Sequence, residues 1–322
     1  MTPKTLQQAI QHFSNFDNCR EFMVSIRWDD GKVRCPYCGA DKITYLEKAR
    51  LYRCYSDHPK QKFSLKVGTI FEDSPIPLEK WLPAVWLIVN AKNGISSYEI
   101  HRSLGVTQKT AWFMLHRIRL AMQTKSFAKL GGRGSEVEVD ETFIGGKARH
   151  MHRDVHHRRI VAGGPHDKTI VMGMLERGGK VRAEVIPHRR KKLIQQEVRD
   201  HVAAGSALMT DKLLSYEGLM GRDYCHQMID HAEKYVDGKV HTNGMENFWS
   251  LLKRGLKGTY IATEPFHLFR YLDEQVWRYN NRATKDNPMN DGNRFQLAMS
   301  QIVGKRLTFA EVTGKVGLST NN

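Results

Sequence analysis

Apolar residues recur at helical spacing in the segment from Val240 to Tyr260, which reads VHTNGMENFWSLLKRGLKGTY. This periodicity predicts an amphipathic helix packed on a core. Glu246 and Lys253 are seven residues, or two turns, apart, so both project from one face of that helix. A carboxylate and a lysine on one rigid face suit a site that holds a metal ion and a phosphate. Asn243 followed by Glu246 is also a capping-box pattern, so a purely structural role at the helix start stays open.

The N-terminal part of the chain is predicted to be largely helical. Apolar periodicity predicts helices at residues 5–16, 18–26 and 78–91. A short helix that begins at Ser96 or Ser97 and ends at Gly105 precedes a second helix, which Thr107 caps. Two helices joined by such a tight turn predict a helix-turn-helix.

The period changes from helical to alternating after residues 130–135, which have the composition of a linker. Strands are predicted at residues 136–146, 169–175, 182–186, 207–211 and 224–229. A helix is predicted over residues 193–203 and a turn or short helix over 213–219, which together indicate an α/β core with a mixed sheet. An aromatic amphipathic helix over residues 268–281 is interpreted as core, and the chain after about Lys305 as a short tail.

Cysteine spacing predicts a zinc ribbon. Cys35 and Cys38 form a C-P-Y-C-G knuckle, which presents two thiolates from one tight turn to a tetrahedral ion. Fifteen residues separate Cys38 from Cys54, a spacing typical of ribbons. His58 completes a set of three sulfurs and one nitrogen, with Asp57 as the alternative fourth ligand. The alternation over residues 63–71 predicts the closing strand of the ribbon, whereas Cys19 and Cys225 stand alone and are interpreted as ordinary thiols.

Composition points to a polyanionic partner. The 322 residues suffice for two or three domains, and 50 Lys and Arg against 34 acids leave a net charge of +16. Nucleic acid is the first candidate for such a surplus and an anionic membrane surface the second. No apolar run reaches membrane-spanning length, and the polar N-terminus does not resemble a secretory signal. We therefore expect a cytoplasmic, nucleoid-associated protein with no membrane contact.

The positive charge is concentrated in three regions. From His101 to Arg133 there are seven Lys or Arg and no acid, which suits phosphate contacts. Residues 147–159 and 188–192 form two further basic, His-rich patches, predicted to clamp DNA backbone, with solvated loops as the alternative. Transition-metal binding at His150, His152, His156 and His157 is a weaker alternative. The candidate DNA contacts are Lys109, Arg117, Arg119, Arg158, Arg159, Arg190 and Arg254.

Three carboxylates fall on predicted rigid elements. Asp140 lies in the middle of an apolar strand and Asp211 ends another, positions where a charge is costly unless it is compensated. With Glu246 they supply the acidic oxygens that two hard divalent cations need at a phosphodiester. Lys253 can then hold a phosphate. Taken singly, Asp140 is also explained as a strand-end acid and Asp211 as a cap of the following turn.

Three motifs carry a family resemblance: EVDETFIGGK, TDKLLSY and HTNGMENFWSLLKRGLKGTY. They resemble the catalytic core of DDE insertion-sequence transposases, and in particular the ISXO-like group, whose members also carry an N-terminal zinc ribbon. The 34 residues between Asp211 and Glu246, and the lysine seven residues further on, fit the D-D-E-K pattern of this superfamily. The resemblance extends from the CPYC knuckle to the WRYNNR segment near Arg282.

The resemblance implies an RNase H-like mixed sheet flanked by helices, preceded by a small zinc ribbon and a helix-turn-helix. It also implies two Mg²⁺ or Mn²⁺ ions, hydrolysis at the element's ends, and attack of the freed 3′-OH on target DNA. Asp140 would bridge both ions, Asp211 and Glu246 would each serve one, and Lys253 would contact DNA near the cut. Because some members use asparagine as the third ligand, Asn243 is the alternative to Glu246.

The predicted domains are the N-terminal helices and zinc ribbon (1–73), the helix-turn-helix region (74–130), the catalytic domain (131–285) and a C-terminal helix and tail (286–322). The expected partner is double-stranded DNA at the element's ends and at the target. At least a dimer is expected on DNA, since two ends must be cut and joined together. One alternative is a DNA-binding regulator without catalysis, which has no physical use for both a carboxylate triad and Lys253. Another is a nuclease that only hydrolyses.

Overall fold

The structure is a computed structural model that describes residues 3–123, 128–145, 168–211, 214–216, 218–219, 224–229, 241–261 and 263–315. The chain divides into two compact units. The first unit combines Met1–Gln123 with Asn281–Asn322, and the second is Thr124–Asn280.

The first unit begins with helices and a small sheet. Its elements are α1 (Leu6–Phe13), α2 (Phe16–Arg27), β1 (Ile43–Leu46), β2 (Leu51–Cys54), β3 (Lys62–Phe63), α3 (Leu78–Asn90), α4 (Ser97–Leu104) and α5 (Gln108–Met122). The strands form an antiparallel sheet in the order β1-β2-β3. The prediction of a closing strand over residues 63–71 is wrong beyond Phe63. Hydroxyl oxygens of Ser64 and Thr69 accept the backbone N–H groups of Lys66 and Phe71, and such local bonds favour turns over a strand.

The predicted pair of helices joined by a tight turn is present. Ser96 and Glu99 form a capping box at the start of α4, and Gly105 ends the helix in the left-handed conformation, with φ of 58°. Thr107 caps α5 by accepting the backbone N–H of Thr110. The local signals in the sequence therefore predicted both helix boundaries.

The second unit is the predicted α/β core. Its elements are β4 (Glu136–Ile144), β5 (Thr169–Glu176), β6 (Val181–Ile186), α6 (Lys191–His201), β7 (Ala207–Asp211), β8 (Cys225–Ile229), α7 (Asn243–Arg254) and α8 (Leu268–Asn280). The sheet has the order β6-β5-β4-β7-β8. The pairs β4–β5 and β5–β6 are antiparallel, whereas β4–β7 and β7–β8 are parallel. This mixed sheet confirms the predicted fold class and is consistent with an RNase H-like core.

The sheet of the second unit has helices on both faces. Side chains alternate along β4, and its buried residues Val137 and Val139 pack with Ile194 of α6. On the other face, Val171 of β5 packs with Phe248 of α7. Burial on both faces explains the apolar character of these strands and places α7 against β4 and β5.

Close packing of α7 on the sheet depends on Gly173 of β5. A Cβ atom there would lie 2.2 Å from Cε of Met245 and 2.6 Å from the ring of Trp249, so only glycine admits the helix at this distance. The helix begins at Asn243, preceded by Thr242, whose side chain makes no capping bond. The alternative of an Asn243–Glu246 capping box is therefore wrong, because Asn243 lies inside the helix rather than at its N-cap.

The C-terminal segment returns to the first unit as α9 (Asp291–Ser300) and α10 (Phe309–Val312). Phe295 packs against the rings of Phe13, Phe22 and Trp86. Leu307 and Val312 are buried, so the prediction of a tail after Lys305 is wrong up to residue 315. Too few apolar residues occur there to form a periodic pattern. No described helix is long and apolar enough to span a membrane.

Candidate functional site

The predicted zinc ligands come together in the small sheet of the first unit. Cys35 and Cys38 lie on the turn before β1, Cys54 ends β2, and His58 follows it. The ligand atoms of these four residues all lie within 4.8 Å of one another. Asp57 is exposed and outside this group, so the structure favours His58 as the fourth ligand.

The distances within the cluster fit a tetrahedral ion. Sγ of Cys38 lies 3.7 Å from Sγ of Cys54, and Sγ of Cys35 lies 3.5 Å from Nε2 of His58. A tetrahedral zinc ion with ordinary bond lengths separates two sulfurs by about 3.8 Å and a sulfur from a nitrogen by about 3.6 Å. Three thiolates and one imidazole therefore form a closed structural site, in which no position remains for a substrate.

Two of the predicted catalytic carboxylates lie on neighbouring parallel strands of the second unit. The register of β4 and β7 pairs Val139 with Thr210, and Asp140 and Asp211 are the next residues on the two strands. Parallel pairing in register directs both side chains to the same face of the sheet. The fold thus brings together two acids that are 71 residues apart in the sequence.

Glu246 reaches the same region from α7, where its side chain is exposed. Burial raises the pKa of the Asp140 carboxyl, and the negative charges of Asp211 and Glu246 raise it further. Hydrogen bonds from the Trp249 indole and the Glu141 backbone N–H act in the opposite direction. Three carboxylates thus concentrate negative charge around Asp140, although their oxygens do not all lie within 4.8 Å of one another.

Lys253 lies two turns beyond Glu246 and is partly buried. Burial lowers the pKa of its ammonium group, as do the positive charges of Lys257 and Lys168, while Asp140 raises it. A phosphate placed among these lysines would offset their mutual repulsion. Asn243, the alternative third ligand, is exposed in the first turn of α7, one turn before Glu246.

Several site residues were missed by the sequence analysis. Trp249, one of the apolar residues at helical spacing in the segment from Val240 to Tyr260, donates its indole N–H to Asp140 across 2.9 Å. Glu138 is buried and accepts the backbone N–H of Met245 at the start of α7. Glu138 and Asp140 alternate with valines on β4, and this period of two is the signal that places both carboxylates on one face.

Glu141 is a further, partly buried carboxyl next to Asp140. It points away from Asp140 to the opposite face of the sheet, where the hydroxyl of the buried Tyr216 donates to it. Burial raises the pKa of Glu141 to about 7. Tyr216 belongs to the turn after Asp211, so this bond ties that turn to β4.

The predicted DNA contacts on α5 divide into two groups. Lys109 is exposed in the first turn of the helix, with its ammonium over the ring of Phe309. Arg117 and Arg119 are 4% and 1% exposed, so their prediction as DNA contacts is wrong for this structure. The guanidinium of Arg117 donates to the backbone carbonyls of Glu72 and Leu307 inside the first unit. Basic residues on a helical face are thus used here for internal bonds.

The other predicted DNA contacts lie in the second unit. Arg190 is exposed just before α6, and Arg254 is exposed at the end of α7, next to Lys253. Arg158 and Arg159 lie outside the described residues, as do the histidines of residues 147–159. Among the described residues, Glu184, Glu197 and His201 form a second compact group of possible metal ligands. Nε2 of His201 lies 2.9 Å from Glu184 and 3.4 Å from Glu197, in the manner of an ion pair.

Known protein families match both the zinc cluster and the α/β core. Residues 129–280 match the model of the ISXO2-like transposase domain, and residues 15–56 match that of the transposase zinc-ribbon domain. The chain is 27% identical over 258 residues to an uncharacterized protein in transposable element ISH50 of Halobacterium salinarum, covering 77% of this chain and 85% of that protein. It is 34% identical over 107 residues to an uncharacterized transposase-like protein of Haemophilus influenzae, covering 33% of this chain and 85% of that protein.

Proposed function

Because this chain belongs to the ISXO2-like transposases, we propose that it cuts DNA at the ends of an insertion sequence and joins the freed 3′-OH groups to target DNA. The observation that carries this proposal is the position of Asp140 and Asp211 on adjacent parallel strands, with Glu246 on the helix packed against the same sheet. All three carboxylates lie on strands or on a helix of one mixed sheet and its packed layer. Such an arrangement suits chemistry that needs fixed metal ligands.

The donor set fits divalent cations. Asp140, Asp211 and Glu246 would hold two Mg²⁺ or Mn²⁺ ions, which prefer carboxylate oxygens. Burial raises the pKa of Asp140 and the charges of Asp211 and Glu246 raise it further, and a bound cation would offset this repulsion. When bound, the ions would lower the pKa of the attacking water or hydroxyl and stabilise charge on the leaving oxygen. Asn243 remains the alternative to Glu246 as the third ligand.

The side chains around the carboxylates would orient the DNA. Lys253 would bind a phosphate near the cut, aided by Lys257 on the next turn. The indole of Trp249 would hold the Asp140 carboxylate in one orientation. Because α7 carries Trp249, Glu246 and Lys253, the position of this helix would determine the geometry of most of the site.

Positive residues outside the carboxylate site would hold the DNA duplex. Lys109, Arg190 and Arg254 are exposed, and each would contribute a salt-dependent phosphate contact. The basic segment of residues 147–159 and the zinc ribbon would add further contacts with the element's ends. Two ends must be cut and joined together, so we expect at least a dimer on DNA, acting at the nucleoid.

A strand-transfer assay tests the proposal. Purified protein would be mixed with Mg²⁺ or Mn²⁺ and a labelled duplex that carries the DNA flanking this gene, with Asp140→Asn, Glu246→Gln and Asn243→Ala in parallel. We expect joined products from the wild type and none from Asp140→Asn, with DNA binding retained in both. Loss in Glu246→Gln alone would identify Glu246 as the third ligand, and loss in Asn243→Ala alone would identify Asn243.

Other outcomes of this assay separate the alternatives. Cleavage without joined products would indicate a nuclease that only hydrolyses. DNA binding without cleavage by any protein, wild type included, would contradict the proposal and favour a regulator. Loss of DNA binding together with cleavage in Asp140→Asn would assign Asp140 to folding rather than to catalysis.

A further inference from the structure

Glu138 is a buried carboxylate that the proposed chemistry does not use. It lies on β4 two residues before Asp140, on the same face, and is 1% exposed. Its Oε2 accepts the backbone N–H of Met245 at 2.9 Å, and its Oε1 accepts the Nε–H of Arg177 at 2.8 Å. Burying a charge is costly unless it is paired and hydrogen-bonded, and here each oxygen has a strong donor.

The start of α7 depends on this carboxylate. The first amides of a helix have no partner within the helix, and a side chain at the N-cap usually provides one. Thr242 occupies the N-cap of α7 without making such a bond. Glu138 caps the helix from another element instead, with a negative charge at the positive end of the helix dipole.

Arg177 links the two acids of β4 to the residues that precede α7. It follows β5, and its Nη1 donates to Oε2 of Glu136 at 2.6 Å. Its Nη2 donates to the backbone carbonyl of His241 at 2.7 Å. One guanidinium thus joins two acids of β4 to the residue just before the N-cap of α7.

A second hydrogen bond between β4 and α7 lies further along both elements. Trp249, four residues after Met245, donates to Asp140, two residues after Glu138. Four residues of helix rise about 6 Å, and two residues of strand span about 6.7 Å. The two bonds therefore match in spacing, so a shift of α7 along its axis would disrupt both.

We propose that Glu138 and Arg177 are positioning residues that set the register of α7 against β4, and so place Glu246 relative to Asp140. This inference rests on the proposed function, because it assigns the pair a role in the same site. Neither side chain needs to touch DNA or metal. Their effect is exerted through the helix that carries Glu246 and Lys253.

The substitution Glu138→Gln tests the inference with little change in volume. The glutamine oxygen can still accept from Met245, but its NH₂ group then faces the Nε–H of Arg177, so two donors oppose each other. Glu136→Gln is the matched control, because Glu136 binds the same arginine on the same strand without bonding the Met245 amide. Arg177→Gln is the second variant should Glu138→Gln fail to fold.

Two measurements apply to each variant. The first is single-turnover DNA cleavage as a function of Mg²⁺ concentration, in which we expect Glu138→Gln to lower the rate about 10- to 100-fold. It should also raise the Mg²⁺ concentration at half-maximal rate and leave DNA affinity unchanged. The second is amide hydrogen exchange of residues 243–249, which should be faster in Glu138→Gln and Arg177→Gln than in Glu136→Gln.

The outcomes distinguish this inference from the proposed function. If the wild type cleaves and Glu138→Gln and Arg177→Gln cleave with unchanged rate and Mg²⁺ dependence, the positioning role is wrong while the function stands. The same conclusion follows if both variants lower only the melting temperature. A wild type that cleaves no DNA overturns the function and the catalytic part of the inference, whereas faster exchange in the two variants would still establish the cap on α7.

Discussion

Nε1–H of Trp249 donates to Oδ2 of Asp140 across 2.9 Å, joining two residues that are 109 positions apart. The other oxygen of Asp140 accepts the backbone N–H of Glu141 at 2.8 Å. Trp249 also packs over Gly173, the residue that pairs with Asp140 on β5. A carboxylate oxygen has two lone pairs, so these bonds orient Asp140 and leave it able to bind a metal ion.

The bond between Trp249 and Asp140 predicts the effect of Trp249→Phe. Phenylalanine keeps an aromatic ring in the core but removes the donor, so Asp140 loses part of its orientation. We expect the rate of DNA cleavage at saturating Mg²⁺ to fall about 10- to 100-fold, and the free energy of unfolding to fall by about 1 kcal/mol. Single-turnover cleavage and urea unfolding measure the two effects. Trp277→Phe, at a buried tryptophan of α8, is the control, and equal rates in both variants would contradict the orienting role.

The zinc cluster predicts about one tightly bound zinc ion per chain. We expect His58→Ala to lose this metal and to destabilise the ribbon, because structural zinc sites contribute directly to folding. Asp57→Ala should retain zinc, since Asp57 is exposed and outside the cluster. Metal analysis after dialysis against a chelator measures the difference. Similar zinc content in wild type and His58→Ala, with loss in Asp57→Ala, would reverse the ligand assignment.

The burial of α5 predicts different consequences for two of its basic residues. Lys109→Ala should weaken DNA binding about equally for all sequences and lower the slope of log affinity against log salt by about 1. Arg117→Met should leave that slope unchanged and lower the stability of the first unit, because the backbone carbonyls of Glu72 and Leu307 lose their donor. Fluorescence anisotropy at several salt concentrations, with thermal unfolding, tests both. A reduced salt slope in Arg117→Met would show that its side chain reaches DNA.

The pair of His201 and Glu184 predicts a pH-dependent contribution to stability. The hydrogen bond to Glu184 raises the pKa of His201 above its ordinary 6.5, so this stabilisation is complete below pH 6.5 and is lost as the pH rises through the raised value. The same bond lowers the pKa of Glu184 below its ordinary 4.5. The stabilisation that the ionised Glu184 contributes is therefore present above pH 4.5 and is lost as the pH falls through the lowered pKa. Burial and the negative charge of Glu184 raise the pKa of Glu197 above its ordinary 4.5, so ionisation of Glu197 lowers the stability as the pH rises above 4.5. The stabilisation by the pair of His201 and Glu184 is therefore largest between about pH 4.5 and 6.5.

We accordingly expect His201→Gln to lower the free energy of unfolding at pH 6 by about 0.5–1 kcal/mol, a small value because both side chains are partly exposed. The loss should be smaller at pH 9, because the stabilisation by the charged histidine declines as the pH rises through its raised pKa. Urea unfolding at the two pH values, with His188→Gln as a control at an exposed histidine, checks this. A loss that does not decrease at pH 9 would show that packing, rather than charge, accounts for the effect.

Local signals were the most reliable part of the sequence analysis. The capping residues of α4 and α5 and the glycine between them lie within a dozen residues, so their spacing predicted the helix pair. The zinc ligands are also local, because each knuckle is a single turn. The alternation around Asp140 correctly predicted a strand, which the structure places in the middle of the mixed sheet.

The periodicity of the sequence did not predict which of these side chains are buried. Arg117 and Arg119 belong to a basic run without acids, a composition that suits phosphate contacts, but α5 is covered along its C-terminal half, so both side chains lie inside the unit. The predicted closing strand is absent after Phe63, because serine and threonine hydroxyls in that segment bond to nearby backbone. Residues 305–315 contain few apolar residues, yet two of them are covered by the core.

The sequence alone determined the residue types, the spacing of Asp211, Glu246 and Lys253, the cysteine knuckles, and hence the family resemblance. These features follow from periodicity and short-range chemistry, which do not depend on distant parts of the chain. Only the tertiary structure decided that Glu138 caps α7 and that Trp249 binds Asp140. These are contacts between elements more than one hundred residues apart, and they exist only because the strand and the helix pack at one particular register.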